Sequence, residues 1–292
     1  MKAEVLFNYA IDKVRRFHLS PFNRLSHVAT YTREMPVSLE RMYENALDGE
    51  HLPYLHQSTF SYVDILESGS WGWRAKAGMQ PRSVLTDMEI ELVLYREEFC
   101  WKTRTLRGLG KGTEIWTHVI PLGERRIKVI VDFYVPKVPP LLKSIYADYY
   151  LEVYERLYDE DEMMMSQRQD ALDLKADKPG RKKTQRYSLG TINEVKAKVP
   201  FTVVIEDQSV CVNALDGQLI AYSATCPHML APLGNEPVVN GVVECPWHAY
   251  RFDVKTGECV SGQRCRLKAA PTISIDDKNR EVYLTPVTRR GE

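Results

Sequence analysis

The chain lacks an excess of charge of either sign, since its 292 residues include 39 lysines and arginines against 39 aspartates and glutamates. This balance gives no global field that would favour nucleic acid or an anionic membrane surface. The sequence also lacks an apolar run of about 18 residues, and its first stretch, MKAEVLFNYAIDKVRRFHL, has neither the apolar core nor the cleavage site of a signal peptide. We therefore expect a soluble, cytoplasmic protein without a transmembrane segment, whose partners are small molecules or other proteins.

Cysteine is scarce, with six residues in the whole chain and no secretory signal to accompany them. Small secreted proteins use cysteine for disulfide frameworks, whereas cysteines in an intracellular chain of this size more often serve metal or redox chemistry. The sequence therefore argues against a disulfide framework.

The length of the chain suggests roughly two domains. Residues 1 to about 56 are predicted to be helical or irregular, and three prolines interrupt this stretch. From about residue 59 to 136, six strand-like runs separated by turn residues predict an antiparallel meander. After Pro140, apolar residues recur at helical spacing without proline or glycine, which predicts one long helix reaching residue 172.

Residues 173–188, DLKADKPGRKKTQRYS, are charged and nearly free of large apolar groups, so they predict a linker. The last part, residues 189–292, consists of short strand-like runs with turns and predicts a small all-β domain. In the first domain, residues 1–172, the order helix, curved sheet, long helix predicts an α+β helix-grip fold of START/Bet v 1-like type. Such a fold wraps a bent sheet around a helix and leaves a cavity between them, which is a candidate substrate site.

Two short motifs in the second domain carry the strongest chemical signal, CPH at 226–228 and CPWH at 245–248. Each motif supplies one thiolate and one imidazole. A [2Fe-2S] centre with two thiolates on one iron and two imidazoles on the other needs two such loops, each of which supplies one thiolate and one imidazole. The alternatives are coincidence or a structural zinc site, although zinc fingers usually pair cysteine with cysteine and histidine with histidine.

Together with their surroundings, CPHMLAPL and GVVECPWHAYRFDVKTGECV, these motifs closely resemble the Rieske iron-sulfur domain over residues 187–288. The resemblance implies that Cys226 and Cys245 hold the buried iron, and that His228 and His248 hold the outer iron, which passes electrons.

Respiratory Rieske proteins carry an extra cysteine in each cluster loop, and the two form a disulfide. Neither loop has one here, so the domain is similar to the low-potential ferredoxin or oxygenase type. The remaining cysteines are expected to be buried or free thiols, and they are Cys100, Cys211, Cys259 and Cys265.

A third motif lies in ENALDGEHLPYLH, residues 44–56. Non-haem Fe(II) oxygenases bind iron with two histidines and one carboxylate, and His51 and His56 could supply the pair. On an uninterrupted helix their five-residue step would turn the rings about 140° apart, but Pro53 distorts that turn and would re-aim His56. The Asp48 side chain is expected to accept a hydrogen bond from the non-ligating ring nitrogen of His51. Taken alone, the stretch is equally an ordinary proline-interrupted helix end.

The longer string ENALDGEHLPYLHQSTF resembles the segment of Rieske non-haem iron oxygenases with the pattern Asp-x-x-His-x-x-x-x-His. The resemblance implies that His51 and His56 bind a mononuclear iron and that Asp48 connects it to the Rieske centre of a neighbouring subunit. The family's third ligand is a carboxylate on the last helix of the cavity domain. In the similar string YDEDEMMMSQRQ, Asp161 takes that position, with Asp159 as the alternative.

By this resemblance the protein is a Rieske oxygenase with the domain order reversed. A ferredoxin or flavin reductase drawing on NAD(P)H would reduce the cluster. Fe(II) would then use O2 to hydroxylate, dihydroxylate or demethylate a small hydrophobic substrate, with aromatic compounds included. The family forms rings, so a homo-oligomer, with a trimer favoured, is expected, and electron transfer within or between chains stays open.

Two other functions remain open. One is a helix-grip carrier of hydrophobic ligands fused to a Rieske ferredoxin, without mononuclear iron. The other is a structural zinc module on a ligand-binding domain.

Overall fold

A computed structural model of the chain describes residues 25–176 and 186–287. The chain divides into two compact units, Met1–Ser166 and Gln167–Glu292. The division falls inside a helix, near the predicted end of the first domain at residue 172. Within the described ranges, no helix combines the length and the apolar character that crossing a bilayer requires.

Within the described residues, the first unit is built on seven antiparallel strands. Their bounds are β1 Leu25–Met35, β2 Phe60–Gly69, β3 Gly72–Met79, β4 Asp87–Tyr95, β5 Cys100–Gly108, β6 Glu114–Gly123 and β7 Arg126–Pro136. They form one sheet in the order β1-β7-β6-β5-β4-β3-β2. From β2 to β7 each strand pairs with the next one along the chain, so the predicted meander is confirmed.

The expectation that residues 1 to about 56 are helical or irregular is wrong for β1. This strand pairs with β7 from Leu25 to Met35, and a register shift follows His27. The shift interrupts the apolar-polar alternation, and the main stabilisation comes from the distant, buried β7 rather than from local sequence. Residues 1–24 of the same prediction lie outside the described residues.

Among the described residues, the first unit also contains the α-helices α1 Leu39–Leu47 and α2 Leu52–Leu55 and most of α3, Lys143–Ala176. The side-chain oxygen of Ser38 caps α1 by accepting a hydrogen bond from the Arg41 backbone N–H at 3.2 Å. A 3-10 turn, Gly49–His51, joins α1 to α2. Helix α3 confirms the predicted long helix.

Aromatic side chains of α3 pack against the sheet. The ring centroid of Phe133 on β7 lies 4.8 Å from that of Tyr150 and 4.7 Å from that of Tyr154. Tyr158 and Met165 of the same helix belong to the core that the sheet encloses. This arrangement of one long helix held by a curved antiparallel sheet confirms the α+β helix-grip fold.

The described strands of the second unit are β8 Tyr187–Thr191, β9 Phe201–Ile205, β10 Gln208–Leu215, β11 Gln218–Ser223, β12 Val238–Val239, β13 Val242–Glu244, β14 Arg251–Asp253, β15 Thr272–Ile275 and β16 Glu281–Thr285. They form three small antiparallel sheets, in the orders β11-β10-β9, β12-β13-β14 and β15-β16-β8. The predicted strand-rich domain is therefore confirmed.

Two details of the second unit differ from expectation. Helix α3 extends to Ala176 and β8 begins at Tyr187, so both ends of the predicted linker 173–188 are regular structure, while residues 177–185 lie outside the described residues. A short helix, α4 Ile192–Lys198, interrupts the strands. Thr191 and Glu194 form a capping box at its start, and this signal was present in the sequence.

Candidate metal centres

The two cysteine-histidine motifs lie on two loops of the second unit. Cys226 and His228 follow β11, and Cys245 and His248 follow β13. In each loop the backbone N–H four residues after the cysteine donates to the cysteine carbonyl, at 3.1 Å in the first loop and 2.9 Å in the second. These tight turns direct the thiol and the imidazole of one motif to the same side of the loop.

The four side chains differ in their access to solvent. Cys226 and Cys245 are buried, His248 is only 4% exposed, and His228 is exposed. The ring centroids of the two histidines lie 4.5 Å apart. The two buried thiols interact, so that the pKa of Cys245 is lowered and that of Cys226 is raised. Two inner sulfurs and two adjacent imidazoles fit a [2Fe-2S] cluster whose histidine-ligated iron lies nearer the surface.

Sequence reasoning missed three features of these loops. Leu230 and Ala249, one in each loop, have φ angles of 66° and 52°, a left-handed conformation that non-glycine residues rarely adopt. The ring of Tyr250 stacks on that of His228, with centroids 4.7 Å apart and planes at 15°. An aromatic residue after the second motif was visible in the sequence, but its partner was not.

In the first unit, the chain from α1 to α2 positions the other histidine pair. Helix α1 ends before Asp48, whose ψ of 78° takes the chain out of the helix. The indole N–H of Trp73 donates to the Ala46 carbonyl at 2.9 Å and fixes this end of α1 against the sheet. Pro53 lies in the first turn of α2, where the missing N–H breaks no helical hydrogen bond, so it does not distort the helix as predicted. The end of α1 at Asp48 instead changes the chain direction and turns the histidines toward one another.

His51 and His56 converge on Asp161 of α3. Nε2 of His56 lies 3.1 Å from Asp161 Oδ1, and Nε2 of His51 lies 3.5 Å from the same oxygen. All three residues are buried, and their potential ligand atoms lie within 4.8 Å of one another. Within the described part of the chain, the contact of His51 Nε2 with Asp161 is long for a hydrogen bond, and a buried nitrogen that faces a carboxylate in this way fits a metal ligand.

The outer ring nitrogens of both histidines have partners. Nδ1 of His56 lies 2.6 Å from Oε2 of Glu160, and Nδ1 of His51 hydrogen-bonds the backbone carbonyl of Asp48. The Asp48 carboxylate is farther away, at 3.7 Å. His51 Nδ1 thus lies closer to the Asp48 carbonyl than to the Asp48 carboxylate, which was the expected partner. Such outer contacts fix the tautomer that leaves Nε2 free to bind a metal.

His51 and Asp161 stabilise the charged forms of each other. Burial by itself would lower the pKa of His51, but the carboxylates of Asp161 and Asp48 raise it to about 10. Burial would raise the pKa of Asp161, but hydrogen bonds with His51 and His56 hold it well below its usual value. Without a metal the cluster therefore contains an ion pair, and metal binding would release a proton.

Asp159, the alternative to Asp161, lies elsewhere. Its side chain is 61% exposed and its Oδ1 lies 2.6 Å from Nη1 of Arg33. Two positions along a helix turn a side chain by about 200°, so these two aspartates of α3 cannot face the same centre.

A cavity of about 130 Å³ adjoins the histidine-carboxylate cluster. His51, His56 and Asp161 form part of its wall. The rest of the lining is mainly apolar and aromatic, including Met42, Phe60, Trp73, Trp101 and Tyr158. The cluster therefore meets a mainly apolar, partly open space of the first unit, as a substrate site requires.

Asn45 and Glu160 are site residues that sequence reasoning missed. Asn45 Nδ2 donates to Asp161 Oδ1 at 2.8 Å, in a buried contact between α1 and α3. Glu160 belonged to an acidic run that is also typical of a solvated helix face. Asn45 lies three residues before Asp48, but no local pattern separates an amide that orients a carboxylate from an ordinary helix residue.

Asn45→Ala is expected to lower the free energy of unfolding by about 1–3 kcal/mol, because it removes a buried donor from a carboxylate. Denaturant unfolding of the wild-type and variant chains measures the difference. Gln57→Ala is the matched control, since the Gln57 amide makes an exposed hydrogen bond to the Tyr54 carbonyl, and it should stay within about 0.5 kcal/mol of wild type. Equal losses in both variants would contradict this role of Asn45.

Comparison with known proteins assigns the second unit. The family described as the Rieske [2Fe-2S] domain matches residues 185–271. A Rieske domain-containing protein of Homo sapiens is 29% identical over 135 residues, which cover 39% of this chain and 83% of that protein. The ferredoxin subunit of anthranilate 1,2-dioxygenase from Burkholderia cepacia is 32% identical over 71 residues, covering 24% and 66%.

The oxygenase component of dicamba O-demethylase from Stenotrophomonas maltophilia is 44% identical over 45 residues. That match covers 15% of this chain and only 13% of the demethylase. Among solved structures, a START superfamily protein from Mycobacterium smegmatis shares 21% identity at a TM-score of 0.38 and covers 49% of this chain and 99% of its own. The sheet order and the long helix define the fold of the first unit.

A Rieske domain carries a [2Fe-2S] cluster and exchanges electrons with a partner, and the loops described above hold the two cysteines and two histidines that this needs. The chain therefore consists of a START/Bet v 1-like helix-grip domain followed by a C-terminal Rieske [2Fe-2S] domain.

Proposed function

We propose that the protein is a Rieske-type oxygenase that acts on a small hydrophobic molecule. One observation carries the proposal: His51, His56 and Asp161 converge, buried, at the wall of an apolar cavity. Two histidines and one carboxylate are the ligand set of non-haem Fe(II) oxygenases. A cavity that only carried ligands would gain nothing from burying two imidazoles and a carboxylate beside its apolar lining.

Each residue has a role in the proposal. His51 and His56, through Nε2, and Asp161 would hold Fe(II), which when bound would activate O2 with electrons from the cluster. The Asp48 carbonyl and the Glu160 carboxylate hold the two rings by their Nδ1 atoms. Asn45 orients the carboxylate of Asp161. The bridging role of Asp48 toward a Rieske centre belongs to the same proposal.

The volume and lining of the cavity indicate the size and polarity of the substrate. An engineered apolar cavity of about 150 Å³ binds benzene, so the volume of about 130 Å³ suits a compound with one ring. Its aromatic walls favour an apolar ring, and Thr103 is the lining residue that could meet a single polar substituent. We expect hydroxylation, dihydroxylation or demethylation of such a compound.

The proposal also requires partners. A ferredoxin or flavin reductase, supplied by NAD(P)H, would reduce the cluster at the exposed His228. A homotrimer would let the cluster of one chain serve the iron of the next. Sedimentation of the holoprotein tests the oligomeric state, and a monomer at all concentrations would exclude transfer between chains.

A second candidate is an electron carrier fused to a ligand-binding domain without mononuclear iron. It is favoured by the match to a ferredoxin subunit, which spans more of that protein than the match to an oxygenase component does. The two candidates differ in iron content and in the response of oxygen consumption to a ligand.

Iron analysis after anaerobic purification and Fe(II) loading separates the candidates. The oxygenase should hold about three iron atoms per chain, two in the cluster and one on the histidine-carboxylate cluster, whereas the carrier should hold about two. Nitric oxide added to the reduced protein should give the high-spin signal of a mononuclear Fe(II) adduct only in the first case. About two irons and no such signal would overturn the oxygenase proposal.

A further inference from the structure

Cys259 and Cys265 lie opposite each other after β14. Glu258 and Arg266 form an antiparallel bridge, and the Leu267 N–H donates to the Gly257 carbonyl at 2.8 Å. The same register makes Cys259 and Cys265 the next directly opposed pair. The chain between them, residues 260–264, turns through Gly262, whose φ is 98°.

This register suits a covalent link between the two sulfurs. Directly opposed residues of an antiparallel pair have Cα atoms about 4.5–5.5 Å apart, and disulfides span about 4.4–6.8 Å. Side chains of an opposed pair lie on the same side of the ladder. The Cys259 sulfur lies 3.3 Å from Ser261 Oγ, within the turn that leads to Cys265.

The surroundings make Cys259 the more reactive thiol. Both cysteines are partly exposed. Burial raises the pKa of Cys259, but hydrogen bonds with the side chain of Ser261 and with the backbone of residues 261 and 263 outweigh it and lower the pKa. The Ser261 hydroxyl donates to Gln263 Oε1 at 2.6 Å, and the Cys259 thiol donates to the same oxygen at 3.4 Å. Burial and the charge of Cys259 raise the pKa of Cys265 to about 11. A thiolate next to a protonated thiol is the usual arrangement of attacking and resolving cysteines.

The other free thiols outside the cluster lack this chemistry. Cys100 and Cys211 are buried, and burial raises the pKa of both. Neither is expected to react with an oxidant in the folded protein. The pair is thus distinguished by exposure, by register and by its neighbours.

We propose that Cys259 and Cys265 form a reversible, redox-active dithiol that exchanges with low-molecular-weight disulfides such as oxidised glutathione. The Cys259 thiolate attacks one sulfur of the oxidant, whose S–S bond breaks and releases one glutathione thiolate. The Cys265 thiol then attacks the Cys259 sulfur of the mixed disulfide, loses its proton and releases the second glutathione. The protein loses two hydrogen atoms, and the oxidant is reduced to two thiols.

The pair lies beside a cluster loop. The Val260 N–H donates to the Arg251 carbonyl at 2.8 Å, and Cys259 bridges Phe252. Both partners belong to β14, which directly follows the second cluster loop. A disulfide would restrain the strand that supports this loop, so the oxidised protein is expected to lose its cluster to a chelator several-fold more slowly.

Treatment of the intact holoprotein with oxidised glutathione tests the proposal, with the visible spectrum of the cluster recorded throughout. Alkylation and tryptic mass spectrometry should find the peptides TGECVSGQR and CR joined, with the loss of two alkylatable thiols per chain and no change in the cluster spectrum. Dithiothreitol should restore both thiols. Cys100 and Cys211 serve as internal controls that stay unmodified.

Single variants separate the two roles. Cys265→Ser should accumulate one glutathione on Cys259, because the resolving thiol is absent, and Cys259→Ser should gain little or none. The proposal is overturned if wild-type Cys259 and Cys265 stay alkylatable after the oxidant, if each carries its own glutathione, or if the disulfide forms only between chains. An unchanged rate of cluster loss in the cross-linked protein would overturn the restraint on the loop.

Discussion

Asp161→Asn is expected to lower the iron content of the Fe(II)-loaded protein from about three atoms per chain to about two, with the cluster spectrum unchanged. The amide keeps the size of the side chain and can keep a contact with Asn45, but it removes the negative charge that a hard divalent cation requires. Anaerobic iron analysis, together with the nitric oxide signal, measures the loss. Oxygen consumption coupled to substrate should fall at least about a hundredfold, which exceeds the usual effect of an outer contact.

Asp159→Asn is the matched control for this prediction. Asp159 carries the same side chain on the same helix, but it pairs with Arg33 at the surface. We expect it to keep the full iron content, because surface ion pairs contribute only about 0–1 kcal/mol to stability. Loss of iron in Asp159→Asn but not in Asp161→Asn would reverse the assignment. Full iron content in both variants would remove the carboxylate ligand from the proposal.

His51→Ala provides an independent check that does not depend on the carboxylate. His51 is 2% exposed, so its replacement leaves a cavity and can destabilise the domain. The circular dichroism spectrum and the cluster spectrum therefore need to match those of wild type before iron content is compared. With both matched, retention of the third iron would contradict the proposed ligand set.

Cys245→Ser is expected to lower the cluster content to about a tenth of wild type or less, since a serine hydroxyl is neither soft nor acidic enough to replace a thiolate on iron. Absorption and circular dichroism in the visible range and the electron paramagnetic resonance signal of the reduced protein measure the cluster. Electron acceptance from any reductase should disappear with it. Iron bound at the histidine-carboxylate cluster should remain, because that site draws no ligand from the Rieske domain.

Cys211→Ser is the matched control in the same domain. Cys211 is also a buried thiol, and its sulfur donates to the Gly234 carbonyl at 3.7 Å, a contact that a hydroxyl can make as well. We expect its cluster content to equal that of wild type. A similar cluster loss in both variants would indicate a general loss of folding, and full cluster content in Cys245→Ser would refute the ligand assignment.

Local spacing made much of the architecture predictable. Each cluster ligand pair lies within four residues of its partner, because one short loop must deliver both atoms. The strand runs from β2 to β7 pair in chain order, so their composition and the turns between them predict the meander. Strand β1 was missed because its partner lies about a hundred residues away in sequence.

The histidine-carboxylate cluster shows the limit of the sequence more sharply. The motif around His51 and His56 predicted the pair of ligands. The convergence of the two rings was expected to come from Pro53, whereas it comes from the end of α1 at Asp48. Asp161 and Asp159 were distinguishable only by a resemblance. The packing of α3 against the sheet decides which of them faces inward.

By itself, then, the sequence determined the two domains, the ligands within each cluster loop and the spacing of the histidine pair, because these depend on residues close together in the chain. Only the tertiary structure decided which carboxylate joins His51 and His56, which groups hold their outer nitrogens, and that Cys259 lies opposite Cys265. Those contacts depend on strand register and helix packing, which are fixed by the burial of apolar surface far from the residues concerned.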